Sequence, residues 1–369
     1  RGVIAFFKRV VLIGVGLIGG SMGLALKRGL FAGRIVGVSR SETIQTALDM
    51  GVIDEGWSYE EMTQALEGAD LVFICTPIQR ILEQIEHVAA LVSDGALVTD
   101  VGSTKRRIVE RARSCFREGT YFVGGHPMAG SEKAGVTAAD PFLFQNAIYI
   151  LVPDECVPRP CYDAFVNLLR GVGARVLELD AEAHDEAVAS ISHLPQLMAT
   201  TLVEMVGKLN EENDHFLPLA AGGFRDMTRI ASSPFQPVWQ DIYGTNADRV
   251  RAMVDCYIAI LQDARDRLED GSLSSDFAYA NQVRGSIPRD AKGFIHALYE
   301  ILVVAEDRPG VIAEIATELQ QQDVNISDIE VMKVREGEGG TLRLGFDSDA
   351  SASRALDILA GIGYVARRP

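Results

Sequence analysis

The run Gly14-Val15-Gly16-Leu17-Ile18-Gly19 constrains this chain more than any other feature, because it follows an apolar segment, Val10-Val11-Leu12-Ile13, and opens a helical pattern. The first glycine permits a tight turn, the second lets the backbone approach a pyrophosphate, and the third allows close packing of helix on strand. Phosphates then sit at the positive end of the helix. Between a strand and a helix, at the start of a βαβ unit, the motif predicts a dinucleotide-binding domain. An acidic residue that binds the ribose hydroxyls of NAD is expected about 20 residues beyond the last glycine. Ser39 stands there instead, followed by Arg40. Serine does not repel a 2′-phosphate and arginine can pair with one, but arginine can equally stack on adenine, so NAD and NADP both stay open.

The pattern around the motif is an alternation of short apolar runs and helix-length amphipathic segments. Strands are expected at 9–14, 34–39, 71–75, 96–101, 121–124 and 147–152, with helices at 19–28, 42–50, 59–66, 78–91 and 104–116. Such alternation implies an α/β fold, a Rossmann-type parallel sheet covered by helices on both faces. This domain is expected to span 1–155. After a further strand at 174–179, helical segments dominate (181–210, 215–221 and 248–269), so 156–290 reads as an all-α domain for substrate binding and dimerisation. The mixture of Gly, Ser, Pro, Asn and charge over 272–292 reads as a linker. From 294 to 369 the order is strand, helix, strand, Gly-rich turn, strand, helix, strand, a βαββαβ unit of ferredoxin-like type.

Composition excludes several function classes. With 47% hydrophobic and 23% charged residues over 369 positions, the chain is an ordinary globular protein. A formal charge of −16 argues against nucleic acid as a partner, which would need a clustered basic surface. It does not argue against a small anion, since charges beyond a Debye length of about 8 Å are screened. Five scattered cysteines without a C-x-x-C pair suggest a reduced, cytoplasmic protein with no cysteine metal site. No apolar run reaches the length of a membrane span, and the first nine residues lack signal-peptide architecture. The missing initiator Met suggests a trimmed or partial N-terminus.

Chemistry is expected at the run from Val123 to Glu132, where His126 follows a short strand among glycines that free the backbone to approach a ligand. The carboxyl end of a parallel strand is where such sheets bind ligands. Asp100-Val101-Gly102-Ser103-Thr104-Lys105 ends a neighbouring strand and brings a hydroxyl and a cation to the same edge. In the helical region Arg225 and Arg229, four residues apart, suit a carboxylate clamp, or else a salt-bridged pair with Asp226 or Asp241. His193 lies on an apolar helix next to Pro195 and reads equally as a site residue or a packed one. His87, His184, His215 and His296 lack a comparable frame and are expected to be structural or exposed. No histidine pair has metal-ligand spacing, so no metal is expected.

In order and over essentially residues 8–290, the runs 10–20, 100–105, 124–135, Ser192-His193-Leu194-Pro195 and 222–231 resemble the prephenate/arogenate dehydrogenases of tyrosine biosynthesis. The resemblance implies oxidation of prephenate or arogenate with NAD or NADP, in a homodimer. It implies that His126 meets the ring hydroxyl of the substrate, that Ser103 sits beside it near the nicotinamide, and that Arg229 holds the ring carboxylate. Arg225, Glu132 and His193 would line the same pocket. Gly14, Gly16, Leu17, Ile18, Gly19, Ser39, Arg40 and Thr76 would contact the cofactor. Ser39 departs from the acidic residue of NAD-using members.

The C-terminal unit, with Asp307-Arg308-Pro309-Gly310-Val311 and Asn325-Ile326, resembles an ACT domain, a small-molecule regulatory module. Asp307, Gly310, Val311, Asn325 and Ile326 are the expected effector contacts, and the pathway resemblance makes L-tyrosine the expected effector. Two competing readings predict different features. Another two-domain hydroxyacid oxidoreductase would need a catalytic lysine in the helical region, where Lys208 is the candidate. A non-catalytic sensor would not need Ser103, His126 and Arg229 together.

Overall fold

The computed structural model describes residues 6–29, 31–130, 133–269, 271–287, 298–305, 308–332 and 340–368. The chain divides into two compact units, Arg1–Asp270 and Gly271–Pro369.

The first unit begins with β1 (Arg9–Ile13), α1 (Leu17–Arg28), β2 (Arg34–Val38), α2 (Ser41–Asp49), β3 (Glu55–Trp57), α3 (Met62–Leu66), β4 (Leu71–Ile74) and α4 (Ile78–Leu91). It continues with β5 (Leu97–Asp100), α5 (Arg106–Cys115), β6 (Tyr121–Pro127), β7 (Ile148–Val152), α6 (Arg159–Gly171) and β8 (Arg175–Glu178). The strands form one eight-stranded sheet in the order β3-β2-β1-β4-β5-β6-β7-β8. Pairing is parallel except between β6 and β7. β4 (LVFI) is apolar throughout and β1 is apolar after Arg9, because both faces of the sheet are covered there. Alternate residues separate: Val10 and Leu12 join the core beneath α1 and α6, while Val11 and Ile13 join the core beneath α3, α4 and α5. On α4 the stripe Ile78, Ile81, Ile85 and Val88 faces that second core. The sheet runs on to Glu178, so the domain boundary expected at 155 falls inside it; Phe165 of α6 packs against Phe73 of β4, ring centroids 5.9 Å apart.

Strand order reverses between β1 and β4, and the crevice at their carboxyl ends is where doubly wound sheets take ligands. The helical region then supplies α7 (Ala181–Val188), a π-turn (Ala189–His193), α8 (Leu194–Glu212), α9 (Gly222–Thr228), a 3-10 turn (Arg229–Ser232), a π-turn (Phe235–Trp239) and α10 (Gln240–Asp266). Residues 214–219 form turns rather than the helix expected over 215–221, consistent with Pro218 in that run, which cannot donate to a helical ladder.

The second unit holds α11 (Ser274–Ser286), β9 (Tyr299–Ala305), α12 (Val311–Gln321), β10 (Asp328–Met332), β11 (Gly340–Phe346), α13 (Asp349–Gly361) and β12 (Val365–Arg367). Its sheet order, β10-β11-β9-β12, is that of a βαββαβ ferredoxin-like unit, with Ile301, Val303, Leu342, Leu344 and Phe346 packed on Ile315, Leu319, Ala355 and Leu359. The expected linker is in part the helix α11. Among the described residues no helix is long and apolar enough to cross a membrane.

Candidate active site

The glycine motif has the geometry its chemistry requires. Gly14 adopts φ +92°, and a Cβ there would lie 2.9 Å from the Thr76 methyl and 3.0 Å from the Cys75 backbone. At Gly19 a Cβ would stand 2.2 Å from the Gly14 carbonyl, so helix and strand approach as closely as only glycine allows. Around Gly16 a Cβ would meet nothing within 4 Å, and α1 starts there without a side-chain cap. The free first-turn N–H groups, including those of Leu17 and Ile18, therefore suit the phosphates of a dinucleotide. Ser39 is buried at the end of β2, with its N–H donating to the Trp57 carbonyl at 3.1 Å. Arg40 is exposed in an extended conformation just before α2. Thr76 is buried beside the motif, its hydroxyl donating to Gln84 Oε1 at 2.8 Å.

His126 lies within β6 rather than in a loop after it, because β7 pairs antiparallel with residues 124–127 and prolongs the strand. Its ring is buried, and its Nδ1 meets His184 Nε2 at 2.8 Å. His184 Nδ1 in turn meets Asp185 Oδ1 at 2.8 Å. His184, expected to be structural or exposed, is wholly buried and bonded to the candidate base. Asp185 is also buried, and it accepts the backbone N–H groups of Lys105 and Arg106, at 2.7 and 3.1 Å, at the start of α5. Burial works to raise this carboxyl, but the His184 hydrogen bond and those two N–H groups outweigh it and hold it below its ordinary range.

An anionic Asp185 takes the proton-bearing nitrogen of His184. That leaves His184 Nε2 as an acceptor, so His126 must donate from Nδ1 and keep a lone pair on Nε2. Burial, then the charges His184, Lys105 and His193 would add, keep His126 well below the ordinary imidazole range. The ring is a neutral base whose free nitrogen is Nε2.

Lys105 braces the same edge from beneath. It is fully buried, paired with Asp100, and its Nζ donates to the Gly125 carbonyl at 2.6 Å. Asp100 accepts the Gly102 and Gly125 N–H groups at 2.8 and 3.1 Å. A Cβ on Gly125 would lie 2.6 Å from the Asp100 carbonyl oxygen, which makes glycine obligatory next to His126. Ser103 is half-buried in this same connection, and neighbouring Thr104 shares a hydrogen bond of 2.8 Å with Thr245 of α10.

His193 joins the cluster from the π-turn, a helix irregularity common at functional sites. It is buried, edge-on to Trp239 and 3.5 Å by Nδ1 from Asn246 Nδ2, and burial pushes it down to about 4. Arg225 and Arg229 are exposed on α9 and the turn after it. Gln196 of α8, one turn past His193, donates to the Ile230 carbonyl at 3.0 Å and holds that turn against α8. Glu132 and Asp307 lie outside the described residues. Lys208 is exposed and paired with Glu204 at 2.6 Å, which leaves no support for a catalytic lysine there.

In the second unit Gly310, at φ +94°, precedes α12, and Val311 lines a cavity of about 330 Å³ with Arg308, Glu314 and Tyr364. Asn325 and Ile326 do not line that cavity; they follow the other end of α12.

A doubly wound domain with a cofactor crevice, and a neutral buried base at its edge, define a nucleotide-dependent oxidoreductase. Residues 22–178 match the prephenate dehydrogenase nucleotide-binding domain, 180–279 the prephenate dehydrogenase dimerization domain, and 299–352 the ACT domain. The chain belongs to the prephenate dehydrogenase family. It is 38% identical to prephenate dehydrogenase of Bacillus subtilis over 94% of both chains. Among solved structures it is similar to Aquifex aeolicus prephenate dehydrogenase in complex with hydroxyphenyl propionate and NAD+ (30% identity, TM-score 0.68, 75% of this chain and 96% of that one). It is also similar to Synechocystis arogenate dehydrogenase (29% identity, TM-score 0.65, 75% and 98%).

Proposed function

We propose that this chain oxidises prephenate at its ring carbinol, with hydride transfer to NAD(P)+ and loss of carbon dioxide to give 4-hydroxyphenylpyruvate. The observation that carries this reading is the Asp185–His184–His126 chain, which holds a neutral base near the carboxyl end of β6, in the same sheet whose first strand leads into the glycine motif. The bound dinucleotide supplies the hydride acceptor. His126 Nε2 takes the proton of the ring hydroxyl as the carbinol hydride leaves, and Ser103 orients that hydroxyl. Arg229 holds the ring carboxylate, with Arg225, Glu132 and His193 around the rest of the substrate. Departure of that carboxylate as carbon dioxide sends its bonding electrons into the ring, which becomes aromatic as the oxygen takes back the proton held by His126, so the protein's contribution is placement and proton transfer.

Ser39 and Arg40 favour acceptance of NADP, since no acidic side chain opposes a 2′-phosphate at the end of β2. A homodimer belongs to the same reading: Leu219, Met227, Phe235, Val238, Ile260 and Leu261 are all at least half exposed on the helical region, an apolar surface that suits a second copy. L-tyrosine at the ACT unit completes it as feedback control.

The test is nucleotide reduction by the purified protein with prephenate or arogenate, each with NAD+ or NADP+. Reduction with prephenate in either nucleotide is the expected result, and turnover of arogenate alone would transfer the reading to the amino-acid substrate. Silence in all four combinations would overturn it.

A further inference from the structure

Asn246 is wholly buried at a kink in α10, where its own backbone leaves helical geometry (φ −131°, ψ 25°). Its Oδ1 accepts from Arg106 Nη2 at 3.2 Å. Because a guanidinium only donates, the other end of the amide must be the NH2 group. That group donates to the Asp185 carbonyl at 2.8 Å and faces His193 Nδ1 at 3.5 Å. An amide NH2 can be met by a lone pair but not by a second N–H. His193 therefore carries its proton on Nε2, the opposite of His126.

Resting on the substrate reading above, we infer that Asn246 is a positioning residue that fixes His193 as the Nε2–H tautomer, so that His193 enters the pocket as a donor while His126 enters it as an acceptor. The two polarities come from one hub, since the Asp185 carboxylate sets His184 and hence His126, and the Asp185 carbonyl anchors the Asn246 amide. An N–H directed at the substrate side chain suits the oxygen of a keto acid and opposes the ammonium group of the corresponding amino acid. Asn246 thus acts, through His193, in favour of prephenate over arogenate.

Side-chain nitrogen-15 shifts of the histidine-labelled full-length protein test the tautomers without any variant or substrate. The expected spectrum has His193 unprotonated at Nδ1 and His126 unprotonated at Nε2; a His193 protonated at Nδ1 overturns the inference. In Asn246→Asp a carboxylate replaces the NH2 group, so His193 should move its proton to Nδ1. Prephenate KM should then rise tenfold or more with kcat changed far less, and the prephenate-to-arogenate preference should fall. Asn246→Ser, a smaller change, should show the same trend in weaker form. Unchanged tautomer in either folded variant, or loss of kcat and KM together with an unmoved preference, would sink the role. Because the nitrogen-15 arm uses no substrate, its outcome stands even if the substrate reading fails.

Discussion

His126 can act as a base only while one ring nitrogen is held without a proton, and the structure does this through a second histidine and a carboxylate. Replacing His126 with Asn removes the base and should lower kcat by roughly 10²- to 10⁴-fold while leaving the melting temperature close to that of the parent. Asp185→Asn leaves His126 in place but lets His184 adopt either tautomer, so His126 loses its enforced orientation. Its kcat should fall by less than that of His126→Asn, and steady-state rates on both variants decide the order. A D185N enzyme with full kcat would remove the relay from the argument. Of these residues only His126 was legible in the sequence, because its glycine frame marks a strand end. His184 stands 58 residues away on a helix with no such marker, and only the fold brings the two rings together. The adjacent His184-Asp185 pair was the available signal, an imidazole already next to a carboxylate. Asn246 offered none, since its position depends on a kink inside a long helix.

At the scale of elements, periodicity carried most of the architecture. The helix expected over 78–91 and the alternation of strands and helices in the first unit follow from apolar spacing, which the chain obeys wherever one face is buried. Among the elements that escaped, two did so for plain physical reasons. β3 has only three half-buried residues, too few to display a period. α11 has an amphipathic pattern too weak to separate it from a polar linker, and it buries none of its residues. The glycine motif was legible to the level of individual roles, and those roles predict opposite phenotypes. Gly16→Ala adds a methyl group where the protein leaves open space, so the protein should fold normally while nucleotide KM rises by about tenfold or more, the effect of about 1.4 kcal/mol of lost phosphate contact. Gly19→Ala places its methyl 2.2 Å from the Gly14 carbonyl, an overpacking that should cost about 1–3 kcal/mol and lower the melting temperature. Thermal melts with nucleotide titrations separate the two, and a Gly19→Ala protein as stable as the parent would show that strand and helix can part without cost.

The whole molecule carries the consequence of burying three neutral imidazoles in one unit. His126, His184 and His193 all sit below the ordinary value of 6.5, with burial the leading cause for each. Between 6.5 and the depressed folded-state values the unfolded chain binds protons that the folded chain refuses. By linkage, stability is then complete above about pH 6.5 and is lost progressively as pH falls below it. Asp185, depressed below 3.8, adds a second loss at more acid pH, when its carboxylate must finally protonate. The overall charge of −16 works in the other direction, because mild acid discharges part of it and relieves self-repulsion. A fall in the melting temperature of the first unit between about pH 6.5 and 5 therefore isolates the histidines from the general charge effect. The triple variant His126→Asn, His184→Gln, His193→Gln should lose that slope even if its absolute stability is lower. A parent protein whose melting temperature changes over that window just as the triple variant's does would mean that the buried rings accept protons at little cost, and the neutral base assigned to His126 would have to be abandoned with them.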